Sequence, residues 1–408
     1  MSKLSRFLIA ANLIALVAMA IWFRCRDLGN LPGVNGDEAW YGVQAELVLH
    51  GEPITWRTPT GNLLNPMFFG PQLLVHAICE PSIAVLRATA VASGLLALAV
   101  NYWLCRGVFG RRAAAISTTV LAVLPVNIIY SRLAWDASQS LLATLPAIYW
   151  PLRAIVAPSR RTLLTCGSLV ALAAAIIVHP TNVFIAPVVF VGLAVAWRNE
   201  LEVIWRAPLG MAALFSMTTA VFMIAGWHEQ RRLVEVADRV SAPNDYADFA
   251  VNLERLFSGV TSCQYVAGSL STGDSANWLS GPAPFDLGVR VIVCVAAFGI
   301  YKRILKNGEL RDEVGVDSET TEPSSSGAVL ALLVGWALSL MALFVVAGPA
   351  AIAPHFERYG MFLVGPTAIL AALATEWWCQ RGSWIGRTAT ALCLACGWAI
   401  LAGFNASF

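Results

Sequence analysis

Long apolar runs separated by short polar turns make up most of this chain. A helix needs about 20 mostly apolar residues to cross a bilayer, and ~17 is the lower limit. On that measure the pattern predicts about eleven membrane-spanning helices. They would occupy residues 6–23, 83–105, 113–129, 139–157, 162–178, 182–197, 207–226, 286–304, 327–347, 359–376 and 386–403. We therefore expect an all-α polytopic membrane protein in which residues 1–408 form a single integral membrane domain.

The composition agrees with this prediction. The 408 residues are 58% hydrophobic and 13% charged, whereas a soluble protein of this length is roughly one quarter charged. The formal net charge of +2 does not indicate a nucleic-acid partner. The nine cysteines are scattered, and most fall inside apolar runs, which favours neither a disulfide framework nor a zinc site.

The distribution of Lys and Arg predicts the orientation of the chain. Basic residues concentrate near alternate turns, as at Arg111 and Arg112, and such turns face the cytoplasm. Two long loops, 24–82 and 227–285, then lie outside, and residues 305–326 form a flexible cytoplasmic linker. We expect the span 6–23 to be retained, because no small-residue cleavage site follows it.

The first outside loop contains the stretch Gly36-Asp37-Glu38-Ala39-Trp40-Tyr41. Its two carboxylates open a short amphipathic helix, which presents apolar residues at Ala39, Val43, Leu47 and Leu49. Near a helix N-terminus the macrodipole favours the charged form of Asp37. One interpretation is therefore a catalytic base held ionised at the membrane surface. The alternative is an N-cap pair with solvated side chains.

The Asp-Glu-Ala-x-Tyr pattern after a first span resembles the GT-C membrane glycosyltransferases. Within them it is most similar to the protein O-mannosyltransferases (glycosyltransferase family 39) and the lipid A aminoarabinose transferases. Three further stretches agree in order and predicted side, namely Asn65-Pro66-Met67-Phe68-Phe69, Tyr130-Ser131-Arg132-Leu133-Ala134-Trp135-Asp136 and Glu357-Arg358-Tyr359-Gly360. The resemblance implies a GT-C-like bundle whose first outside loop contains amphipathic juxtamembrane helices.

The resemblance also implies an activity. The donor would be a polyprenyl-phosphate-linked sugar, and the acceptor a lipid, glycan or protein on the outer side of the membrane. Asp37 would be the general base of an inverting transfer, with Glu38 sharing a proton or a metal with it or serving only as a cap. Arg358 and Arg132 would stabilise the leaving phosphate, since a guanidinium can bond two phosphate oxygens at once.

Each of the other candidate residues has two possible roles, one in binding or catalysis and one in the structure. Asp136 pairs with Arg132 or positions the acceptor. Tyr41, with Trp40, packs at the interface or stacks on substrate. Asn65 bonds a phosphate or sugar, or only forms a turn before Pro66. Tyr359 and its neighbour Arg358 bind the donor or anchor a helix at the membrane boundary.

A divalent metal is possible but not favoured, and the sequence does not identify any other cofactor. Some relatives hold a metal through an acidic residue in the first loop, where this chain has Leu64-Asn65. Two outside His/Glu pairs would bind a metal only if their loops converged. These weak candidates are His228, Glu229, His355 and Glu357.

Two other functions fit an outward-facing membrane protein. A transporter or flippase for polyprenyl-linked glycans would need ionisable residues at mid-membrane depth, whereas the charges here lie at the ends of the spans. A glycan polymerase or ligase would use outward arginines in a long late loop, such as Arg231, Arg232 and Arg239. The position of Asp37 near the N-terminus favours the transferase. The short chain is typical of a bacterium, hence an inner membrane with a periplasmic site.

Overall fold

The structure, a computed structural model, describes residues 14, 16–59, 64–198, 326–347 and 357–381. For residues 344–347, 357–359 and 377–381 it describes the backbone only. The described helices are α1 (Leu16–Cys25), α2 (Gly36–Leu49), α3 (Pro66–Ile78), α4 (Ile83–Val123), α5 (Pro125–Tyr130), α6 (Ser140–Val156), α7 (Arg161–Val178), α8 (Ala186–Trp197), α9 (Ser326–Ala347) and α10 (Glu357–Arg381). Short 3₁₀ turns lie at Asp136–Gln139, Pro158–Arg160 and Pro180–Ile185. Within these residues there is no strand, and the all-α prediction is confirmed.

Four described segments are long and apolar enough to cross a membrane, which makes this an integral membrane protein. They are Ile83–Val123, Pro158–Val178, Pro180–Trp197 and Ser326–Leu343. The predicted spans 207–226, 286–304 and 386–403, the loop 227–285 and most of the linker 305–326 lie outside the described residues. The count of eleven spans therefore stays a prediction.

Helix α4 contains the second predicted span and most of the third, joined at a break. Gly110 has φ +91° and ψ 174°, a backbone conformation that glycine adopts without steric cost. The break coincides with the turn predicted to face the cytoplasm. The third span is shorter than predicted, because the helix ends at Val123 and Pro125 starts the separate helix α5. Proline is favourable in the first turn of a helix but not in its interior.

Helix α6 lies at the centre of the described bundle and packs against α4, α7 and α8, while α9 packs on α8 and α10 on α4. Glycines allow these helices to approach closely. A Cβ at Gly335 of α9 would lie 2.5 Å from Cα of Val188, and a Cβ at Gly192 of α8 would lie 2.9 Å from Cβ of Pro151. In lipid there is no hydrophobic driving force between helices, and close van der Waals contacts of this kind stabilise their association instead.

The segments predicted to face outward meet at one end of the bundle. Gln139 Nε2 donates to the carbonyl of Met67 (3.1 Å), and the rings of Phe184 and Phe362 lie 5.8 Å apart. At the other end Arg153 Nη1 donates to the carbonyl of Gly107 (2.7 Å), beside the turn that contains Gly110. The first outside loop, α2, α3 and the residues after α5 therefore share one end with the start of α10.

A buried arginine joins α1 to α4 at that end. Arg24 is fully buried, and its Nε donates to Ser131 Oγ (3.1 Å). Its Nη1 donates to the carbonyls of Ala20 (3.2 Å) and Ala122 (3.0 Å). A Cβ at Gly94 would collide with the Ser131 side chain. The missing side chain of Gly94 thus makes room for this connection.

Candidate active site

The carboxylate of Asp37 lies in the first turn of α2. Asn35 caps this helix, with its Oδ1 accepting from the backbone N–H of Glu38 (2.8 Å). Asp37 is half-buried, and no hydrogen bond or ion pair from the described part of the chain engages its carboxylate. An unengaged carboxylate therefore lies at the end of the bundle where the segments predicted to face outward meet.

Glu38, the next residue, is fully buried and fully bonded. Arg87 of α4 donates two parallel hydrogen bonds to its carboxylate, from Nε to Oε1 (2.7 Å) and from Nη2 to Oε2 (2.8 Å). The backbone N–H of Ala134 also donates to Oε1 (2.9 Å). The remaining Arg87 nitrogen donates to the carbonyl of Leu28 (2.8 Å). The interpretation of Glu38 as a solvated cap is wrong, and its place in the site is to fix α2, and thereby Asp37, against α4.

Arg132 is bonded to the backbone that follows α1. Its Nη1 donates to the carbonyl of Phe23 (2.6 Å), and its Nη2 donates to those of Arg26 (2.6 Å) and Leu31 (2.8 Å). Its Nε also donates to the Leu31 carbonyl (3.2 Å). Each of the three nitrogens thus donates to a backbone carbonyl, which disfavours the interpretation of Arg132 as a phosphate ligand. Within the described residues its hydrogen bonds go to carbonyls and not to Asp136, which disfavours the alternative in which these two side chains pair.

Tyr41 lies one turn after Asp37 and is 2% exposed. Its ring packs edge-on against Phe68, with centroids 5.1 Å apart, and Trp40 lies edge-on to it at 5.3 Å. Its hydroxyl, however, has no hydrogen-bond partner among the described residues. A buried hydroxyl without a partner is unfavourable, so this one is a candidate ligand group.

The electrostatic surroundings of Tyr41 link it to Asp136. Burial raises the pKa of the Tyr41 phenol well above its ordinary value, and the charges of Asp136 and Asp37 raise it further, against a smaller lowering by the Asn65 backbone. The hydroxyl therefore stays protonated and can donate a hydrogen bond. Asp136 is half-buried, and its Oδ1 accepts from the backbone N–H of Ala137 (2.8 Å). Asp37 and Asp136 thus both lie close enough to Tyr41 for their charges to act on its phenol.

Asn65 belongs to the helix framework. Its Oδ1 accepts from the backbone N–H of Met67 (3.0 Å) and caps α3, while its Nδ2 lies 3.4 Å from the carbonyl of Val178 and from Gln139 Oε1. It is 2% exposed. This geometry matches the interpretation of Asn65 as a turn residue before Pro66.

The remaining candidates lie in α10 or outside the described residues. Glu357, Arg358 and Tyr359 form the first turn of α10, and the structure describes only their backbone. His228, Glu229 and His355 lie outside the described residues. In the described part, no group of three or more His, Cys, Asp or Glu side chains is placed to hold a metal ion.

Sequence reasoning missed Arg87. It is the fifth residue of the predicted span 83–105, where a lone guanidinium is costly and needs a partner or access to the membrane surface. The position of Arg87 inside a predicted span therefore indicated that its side chain needs a buried partner. The partner, 49 positions earlier, had no comparable signal, because Glu38 follows a residue of the same charge in a polar loop.

No protein-family model matches this sequence, and a comparison with curated proteins gives no match. Solved structures of similar fold exist. ArnT from Cupriavidus metallidurans bound to undecaprenyl phosphate superposes with a TM-score of 0.54 at 17% identity, covering 96% of this chain and 64% of that one. The archaeal oligosaccharyltransferase AglB from Archaeoglobus fulgidus, in complex with an inhibitory peptide and a dolichol-phosphate, gives 0.51 at 15% identity, covering 97% and 55%.

A third structure, the Archaeoglobus fulgidus oligosaccharyltransferase tethered with an acceptor peptide, gives a TM-score of 0.54 at 15% identity and covers 98% of this chain and 55% of that one. The chain thus spans less than two thirds of the length of each of these proteins. The likeness extends along nearly all of the present chain, and ArnT and AglB are both GT-C glycosyltransferases. This protein therefore has the fold of the GT-C membrane glycosyltransferases.

Proposed function

We propose that this protein is a membrane glycosyltransferase that moves a monosaccharide from a polyprenyl-phosphate carrier to an acceptor hydroxyl on the outer face of the membrane. The observation that carries the proposal is the unengaged carboxylate of Asp37 beside the unpartnered hydroxyl of Tyr41 and the carboxylate of Asp136. The fold supports it, since the similar structures include ArnT bound to undecaprenyl phosphate and AglB with a dolichol-phosphate.

The reaction follows from the chemistry of these groups. Asp37 accepts the proton of the acceptor hydroxyl while its oxygen attacks the anomeric carbon of the donor sugar. The bond from that carbon to the phosphate oxygen breaks, and the polyprenyl phosphate leaves with the electron pair. A single displacement from the opposite side inverts the configuration at the anomeric carbon. Positioning of the two substrates and stabilisation of the leaving phosphate supply much of the rate.

The other residues of the site position the substrates and stabilise the leaving phosphate. Tyr41 donates a hydrogen bond to an oxygen of the sugar or acceptor, and Asp136 orients the acceptor. Of the two arginines suggested for the leaving phosphate, Arg132 is used by backbone carbonyls. We therefore assign the phosphate to Arg358, whose helix starts at the same end of the bundle.

The test of the proposal is release of free polyprenyl phosphate. The full-length protein, purified in detergent, is offered a panel of polyprenyl-phosphate monosaccharides with a crude acceptor extract. We expect one donor to release polyprenyl phosphate and to label an acceptor with inverted configuration. Absence of release with every donor, together with movement of a lipid-linked glycan across vesicles, would replace the transferase by a flippase.

Replacing Tyr41 by phenylalanine is expected to lower the rate of transfer up to about tenfold, the value of one lost hydrogen bond. The thermal midpoint of unfolding should not fall, because the hydroxyl has no partner among the described residues. The matched control is Tyr149→Phe, which loses a buried bond to Asn101 Oδ1 (2.9 Å). It should lower the midpoint and leave the turnover of the folded protein unchanged. A Tyr41→Phe protein that is less stable and fully active would assign the hydroxyl to folding.

A further inference from the structure

Three arginines lie at the end of the bundle opposite to the candidate active site. Arg160 and Arg161 stand at the start of α7, and Arg198 directly follows α8. Both helices belong to segments that are long and apolar enough to cross a membrane. Between Asp136 and Glu200 the chain contains no Asp or Glu. The sequence from α6 to α8 therefore supplies no carboxylate to balance these charges.

The start of α7 packs directly on the end of α8. The guanidinium carbon of Arg161 lies 5.3 Å from the centroid of the Trp197 ring, a distance at which a cation and an aromatic face attract each other. Trp197 is 8% exposed, and its Nε1 donates to Thr165 Oγ1 (2.9 Å). Because Arg160 precedes Arg161 and Arg198 follows Trp197, these contacts bring the three arginines together. We call Arg160, Arg161 and Arg198 the α7–α8 arginine cluster.

Two members of the cluster are open to a partner. Arg160 and Arg198 are exposed, and no ion pair within the described ranges involves either guanidinium. Leu163 is 72% exposed and lies three positions after Arg160, which makes the two residues neighbours on the surface of a helix. Basic turns are usual at the cytoplasmic surface of a membrane protein. Here such a turn is joined to an exposed apolar side chain on a spanning segment, the combination that a lipid headgroup and its chain require.

We propose that the α7–α8 arginine cluster binds a phospholipid with a net negative charge. The phosphate accepts hydrogen bonds from Arg160 and Arg198, and an acyl chain covers Leu163. A guanidinium suits this role because it can bond two phosphate oxygens at once. A zwitterionic phospholipid fits less well, because three arginines repel the cation of its headgroup. This binding does not depend on the proposed transfer reaction.

The test is photolabelling of the full-length protein in phosphatidylcholine nanodiscs that contain phosphatidylglycerol with a diazirine in its acyl chain. We expect label on the first two turns of α7, and at least tenfold less label from phosphatidylcholine that carries the same diazirine. The double variant Arg160→Gln/Arg198→Gln should be labelled about thirtyfold less by phosphatidylglycerol, roughly fivefold for each arginine near an anionic lipid surface. Raising the salt concentration from about 0.1 to 1 M should also reduce labelling, because the screening length falls from about 10 to 3 Å.

The matched control is Arg26→Gln. Arg26 is exposed at the other end of the bundle, and its guanidinium carbon lies 5.6 Å from the centroid of the Trp22 ring. This variant should leave the labelling of α7 unchanged. Both substituted arginines of the cluster are exposed, so the thermal midpoint of the double variant should match that of the unmodified protein. Equal labelling by the two phospholipids, or full labelling of the double variant, would overturn the proposal.

An acidic segment of the same chain is the alternative occupant. Residues 309–322 lead into α9 and contain Glu309, Asp312, Glu313, Asp317, Glu319 and Glu322. At the start of α9, a Cβ at Gly327 would lie 3.3 Å from Ile155 Cγ2 and 3.6 Å from Val195 Cγ1, near the end of α8. We expect replacement of the acidic residues by asparagine and glutamine to leave labelling by phosphatidylglycerol unchanged. A rise of tenfold or more would show that this segment occupies the cluster in the unmodified protein, and it would overturn the proposal.

Discussion

Replacing Asp37 by asparagine is expected to reduce the rate of sugar transfer by about 10²–10⁴-fold, the usual contribution of a general base. Asparagine keeps the size of the side chain but cannot take the acceptor proton. Folding should be unaffected, because the described residues make no hydrogen bond or ion pair with this carboxylate. The measurement is the release of polyprenyl phosphate under single-turnover conditions, which separates chemistry from substrate binding.

The matched control for this experiment is Asp27→Asn. Asp27 is an exposed carboxylate at the same end of the bundle, and its Oδ1 accepts from Asn30 Nδ2 (2.6 Å). Its backbone has φ +48°, a conformation that asparagine also tolerates. We expect this variant to transfer at the normal rate. Equal rates for Asp37→Asn and the unmodified protein would remove Asp37 from the mechanism and leave the fold unaffected.

Breaking the buried pair of Glu38 and Arg87 is expected to have the largest effect on stability. Arg87→Met leaves the Glu38 carboxyl group without its guanidinium at a position that is 0% exposed, with only the Ala134 N–H still donating to it. Loss of one partner of a buried ion pair costs about 3–5 kcal/mol. We expect a lower thermal midpoint in detergent and lower transfer activity, because Asp37 is adjacent to the residue that is released.

The double variant Glu38→Met/Arg87→Met distinguishes loss of the pair from loss of packing. Removing both charges leaves no unpaired buried ion, so the double variant should be more stable than Arg87→Met alone. A double variant whose destabilisation equals the sum of the two single effects would show that the pair is not coupled. The same experiment reports on positioning, because the double variant keeps Asp37 but lacks the contact that fixes its helix.

Local sequence patterns were sufficient to predict several of the described helices. The length and polarity of each apolar run predicted α6 and α7 to within one residue at each of their ends, and the basic turn near Gly110 predicted the break in α4. The predicted orientation of the loops also put Asp37, Tyr41 and Asp136 on the same side of the membrane. These features depend on periodicity and charge within a few tens of residues, which a single sequence displays directly.

Long-range bonds between polar groups could not be predicted in the same way. Arg132 was expected to bind phosphate, and it donates to backbone carbonyls 101–109 positions earlier. A carbonyl acceptor is present at every residue and therefore leaves no trace in the sequence. The bond from His76 to Glu46 is similar, because 30 positions and a turn-rich loop separate the two residues.

The bonds of Arg24 have a consequence for the order in which the protein assembles. Its acceptors in α4, the carbonyls of Leu121 and Ala122, are synthesised 97 and 98 residues later, an interval of about 5–20 s at usual rates of translation. During that interval the guanidinium must reach water or lipid headgroups at the membrane surface. We therefore expect α1 to insert first at a depth that keeps Arg24 in contact with water. It reaches its final depth in the bilayer only when the carbonyls at the end of α4 replace water as acceptors for the guanidinium.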